Sequence, residues 1–387
     1  SSTTVTQNWN TNTFSNITVT GATTVTIINN TDGGSVNHNI MGNTISNITG
    51  GTNTVTGINS SFGGTNGGSG NLVSGNTISS ISSGGTVSGI TIGSSGTSST
   101  VELNTISGLS TTGASTVSGI TSAAPTSCTI QRNKICDLQS NNASGAVTGI
   151  LVSSGTLHNV VNNTIGDLRT PASNASNPLI GLNITGGTTV NAYYNTVSLN
   201  GTSSGALFGS SAISASTTPA LTLRNNIFHN TSTANGAGAT VAFRRSTTTL
   251  TSYNAASNHN LFYAGTPGAA NLIFSDGTNF DQTLAAYKSR VTARDNSSVT
   301  ENLNSAPTFL GTTCANSDFL HMSTSVATQA ESGGADIAGI TVDFDGNTRN
   351  ATTPDIGADE FSGIGADFVA PSITYTAFLN GNCTSTR

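Results

Sequence analysis

Two acidic residues occupy matching places in neighbouring stretches of the sequence, and they are the first candidates for chemistry. Asp137 and Asp167 each follow, by two residues, the isoleucine of a recurring Asn-x-Ile phrase. If successive phrases stack as strands, the two backbones lie about 5 Å apart. Such a pair of carboxylates could bind Ca²⁺, or could share acid and base roles as in glycoside hydrolysis. The simpler interpretation, which we favour, is that each Asp forms a turn and that Lys134 and Arg169 balance its charge.

Basic and imidazole side chains form a second candidate set for contacts with a glycan or an ion. Arg132 and Arg224 precede asparagines of the same phrase, and Arg169 and His229 lie near them in the sequence. In a polysaccharide lyase, a cation neutralises the uronate carboxylate while a base removes the α-proton. The register nevertheless separates the two arginines by three coils, or about 14 Å. No third acid aligns with the two aspartates, so the pattern predicts no catalytic site.

Metal-ligand patterns are weak. The five histidines are scattered, without the spacing of a zinc site. Asp343-x-Asp345-Gly346-Asn347 resembles part of a Ca²⁺ loop but lacks the closing Glu, so a structural turn is the favoured interpretation. We therefore expect no cofactor, with Ca²⁺ as the candidate metal if one is bound.

Four cysteines in a chain with so few charges suggest disulfides and an extracellular location. The simplest pairs are Cys128 with Cys136 and Cys314 with Cys383, although four cysteines allow three connectivities. Buried, reduced thiols are the alternative.

The composition excludes several classes of protein. Of 387 residues, 7% are charged and 5% aromatic, and the net charge is −6. Disorder caused by high net charge and nucleic-acid binding by a basic surface are both disfavoured. No apolar run is long enough for membrane insertion. Amphipathic helical patterns are almost absent, which argues against a helical bundle.

A repeat shows which elements position these residues. The Asn-x-Ile phrase returns after 28 to 33 residues through residue 225, and a Gly-Ile phrase returns in step with it after 30 or 32. The intervening β-branched segments, bounded by Gly, Ser and Asn, are typical of short strands. About three strands fit one period, which predicts an all-β, right-handed parallel β-helix with coils of about 30 residues. Stacked asparagine amides should form a ladder along one corner. The predicted ladder consists of Asn43, Asn76, Asn104, Asn133, Asn163, Asn195 and Asn225.

The period is lost after Phe262, so we divide the chain into coils at 1–262, C-terminal coils and a capping segment at 263–362, and a linker or further strand at 363–387. Residues 280–288 predict one short helix, with Asp281 or Thr283 as its cap. Arg349 is expected to pair with one of three nearby acids and to hold a cap over the open end of the solenoid. Those acids are Asp355, Asp359 and Glu360.

Residues 40–361 resemble the right-handed parallel β-helix repeat proteins secreted by Bacteroidota. The phrases DFDGNTR at 343–349 and PDIGADEF at 354–361 are the most specific part of the likeness, whereas residues 324–329 depart from the family pattern. Residues 369–376 resemble the first strand of an immunoglobulin-like module that follows such β-helices. The resemblance implies either a polysaccharide lyase or hydrolase, or a surface adhesin without catalysis.

The sequence favours the second of these functions. We expect a non-catalytic module of a large secreted or cell-surface adhesin that provides a rigid stalk or an adhesive surface. Its expected partners are surface glycans, neighbouring copies and further domains of the same polypeptide. The alternative is a polysaccharide lyase or glycoside hydrolase acting in a groove along one sheet. Ice binding by Thr-x-Thr triplets is disfavoured, because the triplets do not recur at the coil period.

Overall fold

The chain folds as a parallel β-solenoid of about 8 turns, with coils of about 31 residues, as the repeat predicts. The computed structural model describes residues 6–31, 37–61, 70–93, 95–123, 125–304 and 308–366. The segment 369–376 and Cys383 lie outside the described residues. None of the described helical structure is long and apolar enough to span a membrane.

Three long sheets run along the solenoid, and each coil adds strands to all of them. The first sheet contains Thr6–Asn10, Asn37–Met41, Asn71–Ser74, Ser95–Glu102, Pro125–Gln131, Leu157–Val161, Thr189–Tyr193 and Ala220–Arg224. The second contains Thr13–Thr18, Thr44–Thr49, Thr77–Ser83, Thr105–Thr111, Lys134–Ile135, Leu138–Ser140, Thr164–Gly166, Leu168–Arg169, Thr196–Leu199, Ile227–Asn230 and Leu261–Tyr263.

The third sheet extends beyond the last Asn phrase. It contains Val25–Asn30, Val55–Ser60, Val87–Ile92, Thr116–Ser122, Ala146–Val152, Leu179–Ile184, Ser210–Ala215, Thr240–Arg245, Asn271–Ser275 and the antiparallel Phe280–Asp281. Coil structure therefore continues past residue 262. A separate pair, Ala327–Thr328 and Ile364–Gly365, forms a small parallel sheet.

Stacked aliphatic side chains fill the interior. The isoleucines of the Asn-x-Ile phrase pair in register from coil to coil and are fully buried: Ile45, Ile78, Ile106, Ile135 and Ile165. Val197, Phe228 and Phe262 continue the same column. Each buried aliphatic side chain contributes about 1.5–3 kcal/mol, so the period that defines the repeat also builds the core.

The asparagine ladder is continuous and fully hydrogen-bonded, but its late members differ from the prediction. From Asn43 to Asn226, each ladder Nδ2 donates to the Oδ1 of the next asparagine and to a backbone carbonyl of the preceding coil. Asn195 bonds Asn226, not Asn225, and Asn226 bonds Asn260. Asn225 was misplaced because two asparagines stand side by side, and the first of them occupies the corner before the ladder. The column is Asn12, Asn43, Asn76, Asn104, Asn133, Asn163, Asn195, Asn226 and Asn260.

A helix closes the C-terminal end of the solenoid. Helix Leu284–Val291 is capped by Thr283, whose side chain accepts a bond from the Ala286 amide. Tyr287 packs on the last aromatic residues of the core, with ring centroids 5.4 Å from Phe262. The ladder ends here as well, because Asn260 donates to the buried Asp295.

The segment 308–366, which we call the strap, does not cover the open end. It turns back and packs along the outer face of the second sheet, where its apolar residues bury Cys136, Ile227 and Leu261. The strap residues in this cluster are Phe309, Phe319, Leu320, Met322, Ala330 and Ile356. The expectation that Arg349 ties down an end cap is therefore wrong. The sequence could not show which surface the strap contacts, because the strap has no repeat register.

Candidate functional site

The two stacked aspartates share one cation. Asp137 and Asp167 both form salt bridges with Arg169, and Asp167 also accepts the backbone N–H of Cys314. Both aspartates have positive φ, 55° and 52°, as corner residues do. Their backbones therefore form the corner and Arg169 balances their charge, as the simpler interpretation predicted, whereas Lys134 donates to the carbonyl of Asn316 in the strap. The arrangement holds together a corner of the solenoid and one attachment point of the strap.

His229 lies beneath the strap rather than on an open surface. Its ring stacks on Tyr263 at 5.1 Å and meets Phe309 edge-on at 5.8 Å. Burial lowers the pKa of His229 to about 4, so the imidazole is neutral at physiological pH. A neutral ring covered by other side chains cannot contact a glycan.

The two arginines do not share a register, contrary to the sequence expectation. Arg132 occupies a corner with φ of 54°, and its Nε donates to the carbonyl of Phe344, 2.9 Å away. Arg224 ends a strand of the first sheet, where it pairs with Tyr193. The error has the same origin as that at Asn225. The ladder position in this coil is Asn226, so Arg224 lies two residues before it, whereas Arg132 lies one residue before Asn133.

A cleft opens between the outer face of the first sheet and the strap. Its volume is about 460 Å³, within the range usual for small-ligand sites. Strap residues 337–342 form one wall. The floor and the opposite edge consist of Thr129, Gln131, Arg132, Asn159, Val161, Asn162 and Tyr193. Of the predicted site residues, only Arg132 lines it.

The floor combines amide groups with one aromatic ring. Asn159 accepts a bond of 3.0 Å from Asn191 in the next coil, and Gln131 donates to Glu102 at 2.7 Å in the coil before. Gln131, Val161 and Tyr193 are consecutive members of one outward column. Sequence reasoning missed this floor, although the position two residues before each ladder asparagine would have identified its column.

The floor carries little acid–base capacity. Burial raises the pKa of Tyr193, so its phenol remains protonated and is a poor base. Arg132 is the one other titratable side chain among the described residues that line the cleft. This arrangement can hold hydroxyl groups and a sugar ring, and it lacks the acid and base that cleavage of a glycosidic bond uses.

One disulfide fastens the strap. Cys136 in the second sheet bonds Cys314 in the strap, and 178 residues separate them. Both expected pairings, Cys128 with Cys136 and Cys314 with Cys383, are therefore wrong. Cys128 points into the core, and burial raises its thiol pKa to about 12, so the thiol is unreactive. The side chain of Cys128 points to the inner side of its strand and so cannot reach Cys136. The spacing of the cysteines in the sequence does not show which side of a strand each one occupies.

Arg349 contacts one of its three expected acids. Its Nη1 lies 3.0 Å from Glu360, while Nη2 donates to Asn162 and to two strap carbonyls. Asp355 instead accepts the amides of Ser332 and Phe361. Asp359 accepts the amide of Met322. These acids organise the turns of the strap, while Arg349 joins the strap to the solenoid.

Asp355 gives a prediction for the pH dependence of stability. Burial raises its pKa to about 7, with a further contribution from the carboxylate of Glu360. An unfolded Asp titrates near about 3.9, so the folded chain binds a proton that the unfolded chain releases. The stabilisation is complete below the unfolded pKa and is lost as the pH rises to about 7.

We therefore expect the stability advantage of the natural chain over Asp355→Asn to shrink by on the order of 2 kcal/mol between about pH 4 and pH 7. Urea unfolding of both proteins at several pH values measures this difference. Parallel pH profiles would show that Asp355 does not titrate in this interval.

No protein-family model matches the chain, and a search of curated proteins finds no match.

Proposed function

We propose that this chain is a non-catalytic, extracellular glycan-binding module of a secreted or cell-surface adhesin, and that the glycan lies in the cleft on the first sheet. The cleft is the observation that carries the proposal, because it places amides, hydroxyls and one aromatic ring around about 460 Å³ of space. Amides both donate and accept hydrogen bonds, which suits sugar hydroxyls. A tyrosine offers an apolar face for a sugar ring together with a polar tip.

The rigidity of the floor supports binding. Asn159 and Tyr193 stand on adjacent strands of the same sheet, so their spacing is fixed by the backbone hydrogen bonds of the solenoid. Side chains that are held in place before binding lose less conformational entropy when the ligand arrives. Successive strands lie about 4.8 Å apart, and a glycan crossing them would meet one new side chain per coil.

An extracellular setting fits the same features. The disulfide between Cys136 and Cys314 is the kind of bond that persists in oxidising compartments. A surface rich in hydroxyls and amides, with 7% charged residues overall, suits many weak contacts that add up in a multivalent protein. The resemblance of residues 343–361 to secreted Bacteroidota β-helix proteins points in the same direction.

The alternative of a lyase or hydrolase finds less support. The pair Asp137 and Asp167 is neutralised by Arg169, and His229 lies beneath the strap. The cleft itself offers a guanidinium and a protonated phenol. Cleavage would need a base that titrates near neutral pH beside the scissile bond.

The test is binding of neutral and uronate oligosaccharides to the purified chain, measured by calorimetry together with an assay for new reducing or unsaturated ends. We expect binding without product. Tyr193→Ala should weaken oligosaccharide binding about tenfold, because one aromatic contact contributes about 1.4 kcal/mol. Asn159→Ala should weaken it as well.

Asn59→Ala is the matched control, because Asn59 also bonds a neighbouring amide, that of Asn29, but on the third sheet. Its affinity should equal that of the natural chain. Equal losses in Asn59→Ala and Asn159→Ala would place the ligand elsewhere, and release of sugar ends would establish the enzymatic alternative. Absence of binding to every oligosaccharide would overturn the proposal.

A further inference from the structure

Three side chains with metal-binding groups meet where distant parts of the strap come together. Nε2 of His321 lies 2.7 Å from Oδ2 of Asp345, and Asp359 is the third member. One ligand atom from each residue lies within 4.8 Å of the other two. In the part of the chain that the structure describes, no other three His, Cys, Asp or Glu side chains converge in this way.

Few hydrogen bonds engage these three side chains. Oδ2 of Asp359 accepts one backbone amide, that of Met322, and Oδ2 of Asp345 contacts His321. Nδ1 of His321 is buried and has no hydrogen-bond partner. The neighbouring Asp343 differs, because its Oδ1 accepts three backbone amides of the turn 345–347 and its Oδ2 accepts that of Glu360. Asp343 therefore builds the turn, while His321, Asp345 and Asp359 make fewer hydrogen bonds, and a metal would replace the contact between His321 and Asp345.

The cluster lies at a partly enclosed place of mixed charge. The carboxylates of Asp343, Asp345 and Asp359 stand close to one another and to the imidazole of His321. Asp345 faces Arg132 across the corner, and His321 packs edge-on against Phe344 with ring centroids 6.1 Å apart. A divalent cation between His321, Asp345 and Asp359 would balance the charge of the two carboxylates.

We propose that His321, Asp345 and Asp359 bind a divalent first-row transition metal such as Zn²⁺, with water completing its coordination. A nitrogen ligand beside two carboxylates suits zinc, whereas Ca²⁺ takes oxygen ligands in larger number. Metal–ligand bonds of about 2.0 Å require ligand atoms about 3 Å apart. His321 and Asp345 therefore need to move little, whereas the carboxylate of Asp359 must move toward them. The ligands lie 24 and 14 residues apart in the sequence, so no short zinc motif marks them.

The position of the cluster gives the metal a structural role. It would join the turn before Met322 to the turn at 343–347 and to the end of the PDIGADEF phrase. All three belong to the strap, and in the turn at 343–347 the carbonyl of Phe344 accepts a hydrogen bond from Arg132. Metal binding should therefore raise the melting temperature and protect the strap from proteolysis.

The test uses the whole chain after dialysis against a chelator. We expect calorimetry to show one equivalent of Zn²⁺ bound and the melting temperature to rise with added Zn²⁺, while Ca²⁺ at the same concentration produces neither effect. His321→Gln and Asp345→Asn should each weaken Zn²⁺ binding at least tenfold. Asp318→Asn is the control, because Asp318 is an exposed acid near His321 that is not among the three ligands.

Each other outcome overturns the proposal. Failure of the natural chain to bind Zn²⁺ at millimolar concentration would do so. Binding that survives in both ligand variants would place the metal elsewhere, and an equal loss in Asp318→Asn would indicate a diffuse acidic surface. Circular dichroism of each variant without metal establishes that it is folded.

Discussion

Arg349→Ala is expected to lower the free energy of unfolding by about 3–5 kcal/mol, the cost of breaking a buried ion pair by removing one partner. The Arg349 side chain is only 2% exposed, and its guanidinium lies 3.9 Å from the ring centre of Tyr194. Removal leaves the carboxylate of Glu360 without its cation and the buried side-chain oxygen of Asn162 without its donor. Denaturant unfolding followed by circular dichroism measures the loss.

Arg169→Ala is the control with exposed partners. Arg169 also pairs with acids, but its side chain is 40% exposed and that of Asp137 is 39% exposed, so a loss of about 1 kcal/mol or less is expected. Limited proteolysis separates local from global effects, since Arg349→Ala should expose strap residues 308–366 first. Equal stabilities of the two variants would mean that the strap does not depend on this arginine.

The sequence was most informative where a repeat imposed a register. The isoleucines that recur with the Asn phrase are inward-facing, as expected, because a strand that faces a core must repeat its apolar residues at every coil. The same register placed the first six ladder asparagines in one column. It failed at Asn225 and Asn226, where two candidates for one position stand next to each other.

The packing of the strap could not be predicted from a register, because the strap does not repeat. A non-repeating segment packs through contacts that are specific to it, such as the disulfide from Cys314 to Cys136 and the bond from Arg349 to Asn162. Neither partner is marked by spacing in the sequence. The phrase DFDGNTR predicted turns and an ion pair, but the surface it contacts depends on three-dimensional proximity across about 190 residues.

The candidate cleft likewise combines a part that the repeat predicts with a part that it does not. Its floor follows from strand register, since Gln131, Val161 and Tyr193 alternate with buried core residues. Its wall at 337–342 belongs to the strap. A cleft needs both, so the sequence could have indicated a polar outward column without showing that a binding site lies over it.

Asn133→Ala should cost about 2–5 kcal/mol, because it interrupts the ladder at its middle. Oδ1 of Asn133 accepts both the backbone and the side-chain amide of Asn104, and its Nδ2 donates to Asn163 and to the carbonyl of Val101. Truncation removes four hydrogen bonds of buried groups and leaves the backbone N–H of Asn104 without its acceptor; a buried group left unpaired costs about 1–3 kcal/mol. Urea unfolding and hydrogen exchange at the flanking coils measure the effect.

Asn39→Ala removes a bond of the same chemistry in a different environment. Its Nδ2 donates to Oδ1 of Asn8 at 2.9 Å, but the pair is exposed, so water replaces the lost bond and a change within about 0.5 kcal/mol is expected. The contrast between the two variants tests whether burial, rather than the number of amide bonds, gives the ladder its stabilising effect. A loss in Asn39→Ala as large as that in Asn133→Ala would contradict this account. A solenoid stabilised chiefly by its buried column can vary its outer amides freely, which is the condition for using them to bind ligands.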